Sequence, residues 1–499
     1  MEMQFDKIPV AYLKKLTGQL RSQEQTLEVR LPEGLPDIGK VLGAWGQVIV
    51  RSKEWSSDTM GVSCGVMVWV LYMPEDEDSA RSVQAWLPFS MKWDLPDTRH
   101  DGKILVSSLL RSVDARSTSA RKLMVRASLD ALGEAWLPAE EQIAMSGELP
   151  PNVELLTAEY PMLLPREAGE KAFVLEEQID LPEGGTRPEK LLYYTLQPEI
   201  LDKKVMAGKV VFRGSGLLHF LYRGEDGKLY NREYELPFSQ YGELEGEYSQ
   251  NVEVSVSPCV TSLDLSVDEN GALQLKAGLL GQYLLWEWDM IAAGEDAYGT
   301  QSVVKPVMEM LQLPAVLEQT VQTVHWEHTL QGDVQQLVNA VFLPEYSQPE
   351  RTGEDLCLPV AGQLQILYYD GEEKLRSASA PWKGEWKWKV AEGSPVDVRV
   401  QPVGKIQATP GVGGVILRGD LAVDATAYSG QGIPMVAGVE IAEPEKTGAA
   451  RPSLILCRKG DRRLWDVAKQ TGSTVAAIKA ANGLDGEPES NRVLLIPIS

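Results

Sequence analysis

One spacing constrains this chain more than anything else in it. Leu31-Pro32-Glu33-Gly34 returns as Leu181-Pro182-Glu183-Gly184, and Val66-Met-Val-Trp-Val-Leu71-Tyr72 returns as Gly216-Leu-Leu-His-Phe-Leu221-Tyr222. Both offsets are 150 residues, and two independent markers that share one spacing define an internal repeat. A third copy, Gly362-Gln-Leu-Gln-Ile-Leu367-Tyr368, follows 146 residues after the second. In each copy an aromatic preceded by proline falls 14 to 17 residues after the tyrosine: Pro88-Phe89, Pro237-Phe238 and Pro381-Trp382.

The copies read as strands. Val68, Val70 and Tyr72 form one apolar column, matched by Leu218, Phe220 and Tyr222 and by Leu364, Ile366 and Tyr368. The opposite column carries Trp69, His219 or Gln365, and period-two alternation of this kind predicts a strand with one buried and one solvated face. Pro74-Glu75-Asp76, Gly224 to Gly227 and Asp370-Gly371 then supply turn dihedrals for a hairpin. The return strand is expected to stop at the proline, which has no N–H for the ladder. A second alternating block closes each unit: Val252 to Val256 with Leu273 to Ala277, and Val396 to Val400 with Val415 to Gly419. The fold class that follows is mainly β, with three tandem antiparallel sandwich-like units of roughly 120 residues.

The last segment changes character. Leu454 to Cys457 is a short apolar run; Leu464, Trp465, Val467 and Ala468 fall at helical spacing. Ser473-Thr474 caps a second helix carrying Val475, Ile478 and Ala481, Asn482-Gly483 ends it, and Val493 to Pro497 gives a final strand. The order is βααβ in under 50 residues. The expected division is a leader at 1–21, units at 22–145, 173–292 and 315–441, linkers at 146–172, 293–314 and 442–452, and the module at 453–499.

Composition narrows the function. The 499 residues carry 71 Asp+Glu against 48 Lys+Arg, a net charge of -23 that repels nucleic-acid backbones and anionic headgroups. The first residues lack a basic segment followed by an apolar one, and no run approaches the roughly 20 apolar residues of a spanning helix, so a cytoplasmic protein without membrane insertion is expected. Cys64, Cys259, Cys357 and Cys457 are isolated, which argues against a disulfide framework or zinc knuckle. His325 and His328 would face opposite sides of a strand, Gly411 to Gly414 lacks the lysine of a phosphate loop, and no nucleophile elbow occurs. No catalytic residue, metal ligand or cofactor is expected. Trp382, Trp386 and Trp388 read as core and as cover for a domain junction, with a sugar-stacking ledge as the rival reading.

The C-terminal segment resembles a LysM domain through Lys459-Gly-Asp461, Leu464 to Lys469, Ala481 to Leu484 and Leu494 to Pro497. It departs where Arg462-Arg463 stands in place of the usual single Thr or Ser. The units resemble SPOCS domains of spore-coat-associated proteins through Leu35-Pro-Asp37, Val41-Leu42, the Leu-Tyr strands and the Leu-Pro-Phe ends at Leu87 to Phe89 and Leu236 to Phe238. Serial SPOCS units before one LysM is the layout of clostridial spore-coat morphogenesis proteins. The resemblance implies a non-enzymatic scaffold in the mother-cell cytoplasm at the forespore surface, docking a coat-basement ATPase of the SpoIVA kind through its LysM. The alternative it leaves open is a binder of N-acetylglucosamine glycan in peptidoglycan. The groove residues it points to are Asp461, Arg462, Arg463, Leu464, Asn482 and Leu484. Independently, Ser453 to Ser499 holds seven basic and five acidic side chains, with four bases between Arg458 and Arg463, a local patch suited to an acidic partner.

Overall fold

The computed structural model describes residues 2–77, 79–96, 101–145, 149, 152–180, 186–248, 251–269, 271–430, 432–442, 453–490 and 492–498. Among these it is mostly strand, with two short helices. The first stretch holds β1 (Glu2–Gln4), β2 (Asp6–Arg30), β3 (Ile38–Ser56), β4 (Thr59–Pro74), β5 (Arg81–Asp94), β6 (Lys103–Ser119) and β7 (Lys122–Met145). The second holds β8 (Val153–Ile179), β9 (Pro188–Met206), β10 (Lys209–Gly224), β11 (Leu229–Glu243), β12 (Val252–Val267) and β13 (Leu273–Gly299). The third runs β14 (Val303–Leu311), β15 (Val316–Gln331), β16 (Val334–Tyr346), β17 (Glu350–Thr352), β18 (Asp355–Asp370), β19 (Leu375–Lys389), β20 (Val396–Gly411), β21 (Gly414–Tyr428) and β22 (Ile433–Ala442). The chain closes with β23 (Leu454–Arg458), α1 (Leu464–Thr471), α2 (Val475–Asn482) and β24 (Val493–Pro497).

One pairing scheme occurs three times. The meanders are β3-β4-β5, β9-β10-β11 and β16-β18-β19; their companions are β2-β7-β6, β8-β13-β12 and β15-β21-β20. The second and third companions join into one six-stranded sheet through a single pair, Val316 against Leu163. Irregularities in the ladders carry the same spacing as the sequence. Bulges at Ile38/Lys40, Val41/Gly43 and Val50/Ser52 recur 150 residues on, opposite Pro188/Lys190, Leu191/Tyr193 and Ile200/Asp202. Val334/Gln336 and Leu337/Asn339 repeat the first two a further 146 on. Bulges re-aim strands at fixed places, so shared bulges show a shared backbone path. A side-chain contact repeats as well. The Tyr72 hydroxyl donates to the Pro36 carbonyl at 3.1 Å, and Tyr222 donates to Thr186 at 3.2 Å. The Leu31 to Gly34 turn precedes this anchor; its second copy, Leu181 to Gly184, lies outside the described residues.

Each meander buries its apolar column against its companion, as with Val66, Val68 and Val70 over Val125, Ala127 and Leu129. The opposite column differs from expectation. Trp69 is buried, packing on Tyr193 and Tyr194 at ring-centroid distances of 5.6 and 4.8 Å. His219 lies 5.5 Å from Tyr193, and Gln365 donates to the Val113 carbonyl at 2.8 Å. That face is covered because neighbouring units pack on it, and such contacts come from chain too distant for periodicity to reveal. Gln47 accepts from the Leu196 amide and Gln197, 150 residues later, donates to the Pro402 carbonyl, tying first unit to second and second to third.

The prolines do not end the return strands. Pro88, Pro237 and Pro381 pair with Gly65, Ser215 and Gln363 in mid-strand, and each strand continues for several residues. These are edge strands, where a residue without an N–H can face away from the ladder.

The segments read as leader and linkers also run as strand. Residues 2–4 and 6–21 are β1 and the start of β2, residues 153–172 lie in β8, and residues 303–311 are β14. In the first two units the companion hairpin extends past the strands packed on its meander; in the third it breaks, and β14 pairs β22 separately, with β1 on the other edge of β22. These inner ends share one core of Phe5, Val10, Ile143, Met162, Leu164, Ile291, Ala297, Leu311 and Val436. Each segment is short of apolar residues alone, but three of them close a common hub. The linker expected at 442–452 lies, after Ala442, outside the described residues, as does all but Leu149 of Ser146 to Pro151.

Candidate functional site: the C-terminal module and its dock

The C-terminal module has the expected element order. The Thr474 hydroxyl caps α2 by accepting from the Ala477 amide at 3.0 Å, and Gly472 and Gly483 close the two helices at φ of 67° and 58°. Such left-handed positions are where glycine costs least. At the start of α1 the missing hydroxyl cap is replaced by carboxylates: Asp466 accepts from the Arg463 amide at 3.0 Å and Glu487 from the Leu464 amide at 2.8 Å. Negative groups suit a helix N-terminus. Leu464, Trp465, Val467, Ala468, Ile478, Leu494 and Ile496 form the core.

The module is seated on the inner end of β13, beside the hub. The Tyr298 ring meets Trp465 edge-on at 4.7 Å, and its hydroxyl donates to the Ser473 carbonyl at 2.8 Å. Asp296 receives the Trp465 indole N–H at 2.9 Å and the Lys469 ammonium at 2.7 Å. Burial pushes the Asp296 carboxyl up, but Lys469 and the indole outweigh it and hold the group below its ordinary value. Burial, with Glu154 and Asp296 nearby, raises Tyr298.

The six residues singled out from sequence are not one exposed surface. Leu464 is 1% exposed, so its side chain belongs to the core. Arg462 spends its guanidinium inside the loop, on the carbonyls of Arg458 at 2.8 Å and Lys459 at 3.1 Å and on Gln470. Asn482 latches α2 to β24, donating to the Ile478 and Leu495 carbonyls and accepting the Leu495 amide, all within 2.8 Å. Leu484 is half-buried against the core. Asp461 and Arg463 are exposed; Arg463 leans toward Glu295 at 3.8 Å and Asp466 at 3.5 Å. Sequence reasoning missed Asp296 and Tyr298, and the only trace of them was that Trp465 carries an N–H that a buried position must satisfy.

Elsewhere, Trp386 and Trp388 are buried between the sheets of the third unit, their indole nitrogens donating to Gln322 and Glu318. They cover no domain junction and offer no face to a sugar. Trp382 packs partly buried on Phe342, 5.9 Å away. His325 and His328 sit on β15 at alternate faces, with His325 on Asp420 at 2.7 Å. Gly411 to Gly414 is the turn joining β20 and β21.

One polar cleft of about 490 Å³ opens between the second and third units, lined in part by Lys203, Asp397, Arg399, Asp424 and Tyr428. Asp397 and Arg399 of this lining are committed to ion pairs with the first unit. Glu134 pairs with Lys15 at 2.7 Å and with Arg399; Lys15 also meets Asp397. Burial alone would raise Glu134, yet the two cations hold it well below the carboxylate range. Burial and then Asp397 push Tyr428 far up. Glu134, held low, and Tyr428, pushed far up, are not poised to exchange a proton near neutrality, as a general acid or base needs. They weld the first unit to the third. Among the described residues no cluster of three metal-ligating side chains occurs, and no helix is long and apolar enough to cross a membrane.

Residues 188–268, from β9 to just past β12, match the family described as SipL, SPOCS domain. The match supports a SPOCS-domain protein with a sporulation-related role in protein interaction, in a family not known for enzymes. No curated protein and no solved structure matches the chain.

Proposed function

We propose that this chain is a non-enzymatic scaffold of spore-coat assembly, built from three SPOCS-like sandwich units and one LysM-like docking module. The observation that carries the reading is the SPOCS match at 188–268 together with ladder bulges that repeat at the same 150-residue spacing in the first unit. Two further units of that path meet it at a shared apolar hub, and the βααβ module sits beside that hub on the end of β13. By resemblance, the module's partner is a coat-basement ATPase of the SpoIVA kind, and the place of action is the mother-cell cytoplasm at the forespore surface. A protein ligand is favoured over glycan because Arg462, at the point of departure from the LysM pattern, is absorbed into the loop, and because the tryptophans that might have gripped sugar are buried.

The test is a tagged pull-down from sporulating cells with the full chain and with residues 453–499 removed. The reading expects the basement ATPase to come down with the full chain and to be lost with the truncation. Capture that survives truncation would overturn docking through the module. Retention on purified cell wall, abolished by N-acetylglucosamine oligomers, would replace it with the carbohydrate reading.

A further inference from the structure

The side of the module that the sequence marked as basic is largely engaged within its own chain: Arg462 in its loop, Arg463 beside Glu295, and Trp465 and Lys469 on Asp296. Among the described residues nothing covers the opposite side. β23 and β24 form a two-stranded sheet whose inner residues, Leu494 and Ile496 with Ile455 and Cys457, pack on the helices. Alternation turns Leu454, Leu456 and Arg458 outward on one strand and Val493, Leu495 and Pro497 on the other. Leu454, Leu456 and Val493 are 50%, 70% and 54% exposed. Three exposed aliphatics contiguous on so small a module mark an interaction surface more than scattered surface hydrophobics would.

We infer that this outer face of the β23–β24 sheet is the partner-docking surface, and that it receives an amphipathic helix of a partner protein with acidic residues in its last turn. The inference rests on the docking role proposed above and moves it from the loop to the sheet. Charge and length point to that occupant. Arg458 stands opposite Val493 and turns outward at one end of the apolar strip, while the Arg492 guanidinium donates to the Asn482 carbonyl at 3.3 Å on the helix side. Arg458 makes no ion pair among the described residues, whereas eleven other arginines of this acidic chain do. Five strand residues span about 16 Å, the length of roughly eleven helical residues or three turns. A helix laid along the strip with its C-terminal end at Arg458 places both its carboxylates and its negative dipole end beside that guanidinium. The occupant is not a second copy, since the chain's two described helices are both packed in the module's own fold.

The probe is a synthetic helical peptide with leucines at i, i+3, i+4 and i+7 and two glutamates in its last turn, titrated against the full-length protein by fluorescence anisotropy. Leu456→Glu and, separately, Arg458→Glu are expected to weaken binding at least tenfold, while Arg463→Glu changes it less than twofold and high salt weakens it. Because both side chains are exposed, circular dichroism and melting temperature should match the parent, and Arg458→Glu alone decides if Leu456→Glu misfolds. Equal binding by the variants would overturn the inference. So would a parent that sediments as a dimer and becomes monomeric on Leu456→Glu. In the pull-down, capture lost on truncation but kept by both variants rejects this face and leaves the docking role standing. Capture kept on truncation rejects the role itself.

Discussion

Glu134 shows how much one side chain can hold. It is 3% exposed, belongs to the first unit, and is neutralised by Lys15 from its own unit and Arg399 from the third. Replacing it by glutamine removes the carboxylate that both cations share and leaves Asp397 as the ion-pair partner of Lys15, and breaking a buried pair from one side typically costs about 3–5 kcal/mol. Chemical denaturation of Glu134→Gln should show a loss of that size. The pH sign follows from its lowered value: the stabilisation is complete above the unfolded value of about 4.5 and is lost as pH falls below it. His219 works the other way. Burial beside Tyr193 lowers its value to about 4, so the folded protein keeps it neutral where the unfolded chain would protonate it. Stability therefore declines as pH drops from about 6.5 toward 4, by roughly 3 kcal/mol at most. His219→Gln should flatten that part of the stability–pH curve, and an unchanged slope would show that the imidazole is not held neutral. Tyr72→Phe and Tyr222→Phe should cost about the same, near 1 kcal/mol each, since both delete one hydroxyl-to-carbonyl bond at equivalent places.

At the scale of elements, the module's seat depends on the β13 tip. Asp296→Ala removes the acceptor of both the Trp465 indole and the Lys469 ammonium. Hydrogen exchange should rise in α1 and in residues 296–300 while the ladders of the three units stay protected; unchanged protection of α1 would show that the Tyr298 contact alone suffices. This seat was invisible in the sequence, because Asp296 and Trp465 are 169 residues apart and nothing local distinguishes that aspartate. What was legible came from local order: the meander strands from alternation, the glycine turns from backbone demand, the second helix from Thr474 and Gly483, and the kinship of units from Leu71 and Leu221. The site was less legible. Resemblance pointed to Leu464 and Asn482, whose side chains are spent on the module's core and on its α2–β24 latch. It passed over Leu456 and Val493, whose outward direction depends on which side of a two-stranded sheet the helices occupy.

Across the whole molecule, the hub matters most for mechanics. Inner ends of β2, β7, β8, β13, β14 and β22 share one apolar core, and β1 adds an N-terminal strand to the third unit's sheet. Segments with the composition of linkers are thus structural, because burial in a hub needs only a few apolar positions from each contributor. Units coupled in this way should melt in one calorimetric transition rather than three, with the module free to loosen earlier. Deleting residues 1–15 should destabilise the third unit as well as the first, detectable as faster proteolysis within 303–442.

On the proposed reading the three-unit body is positioned in the cell by the module seated beside its hub. The most direct measurement is the location of the fluorescently tagged protein in sporulating cells, with and without residues 453–499. A shell of signal around the forespore for the full chain and diffuse mother-cell signal for the truncation is the predicted result. An undisturbed shell without the module would contradict the account.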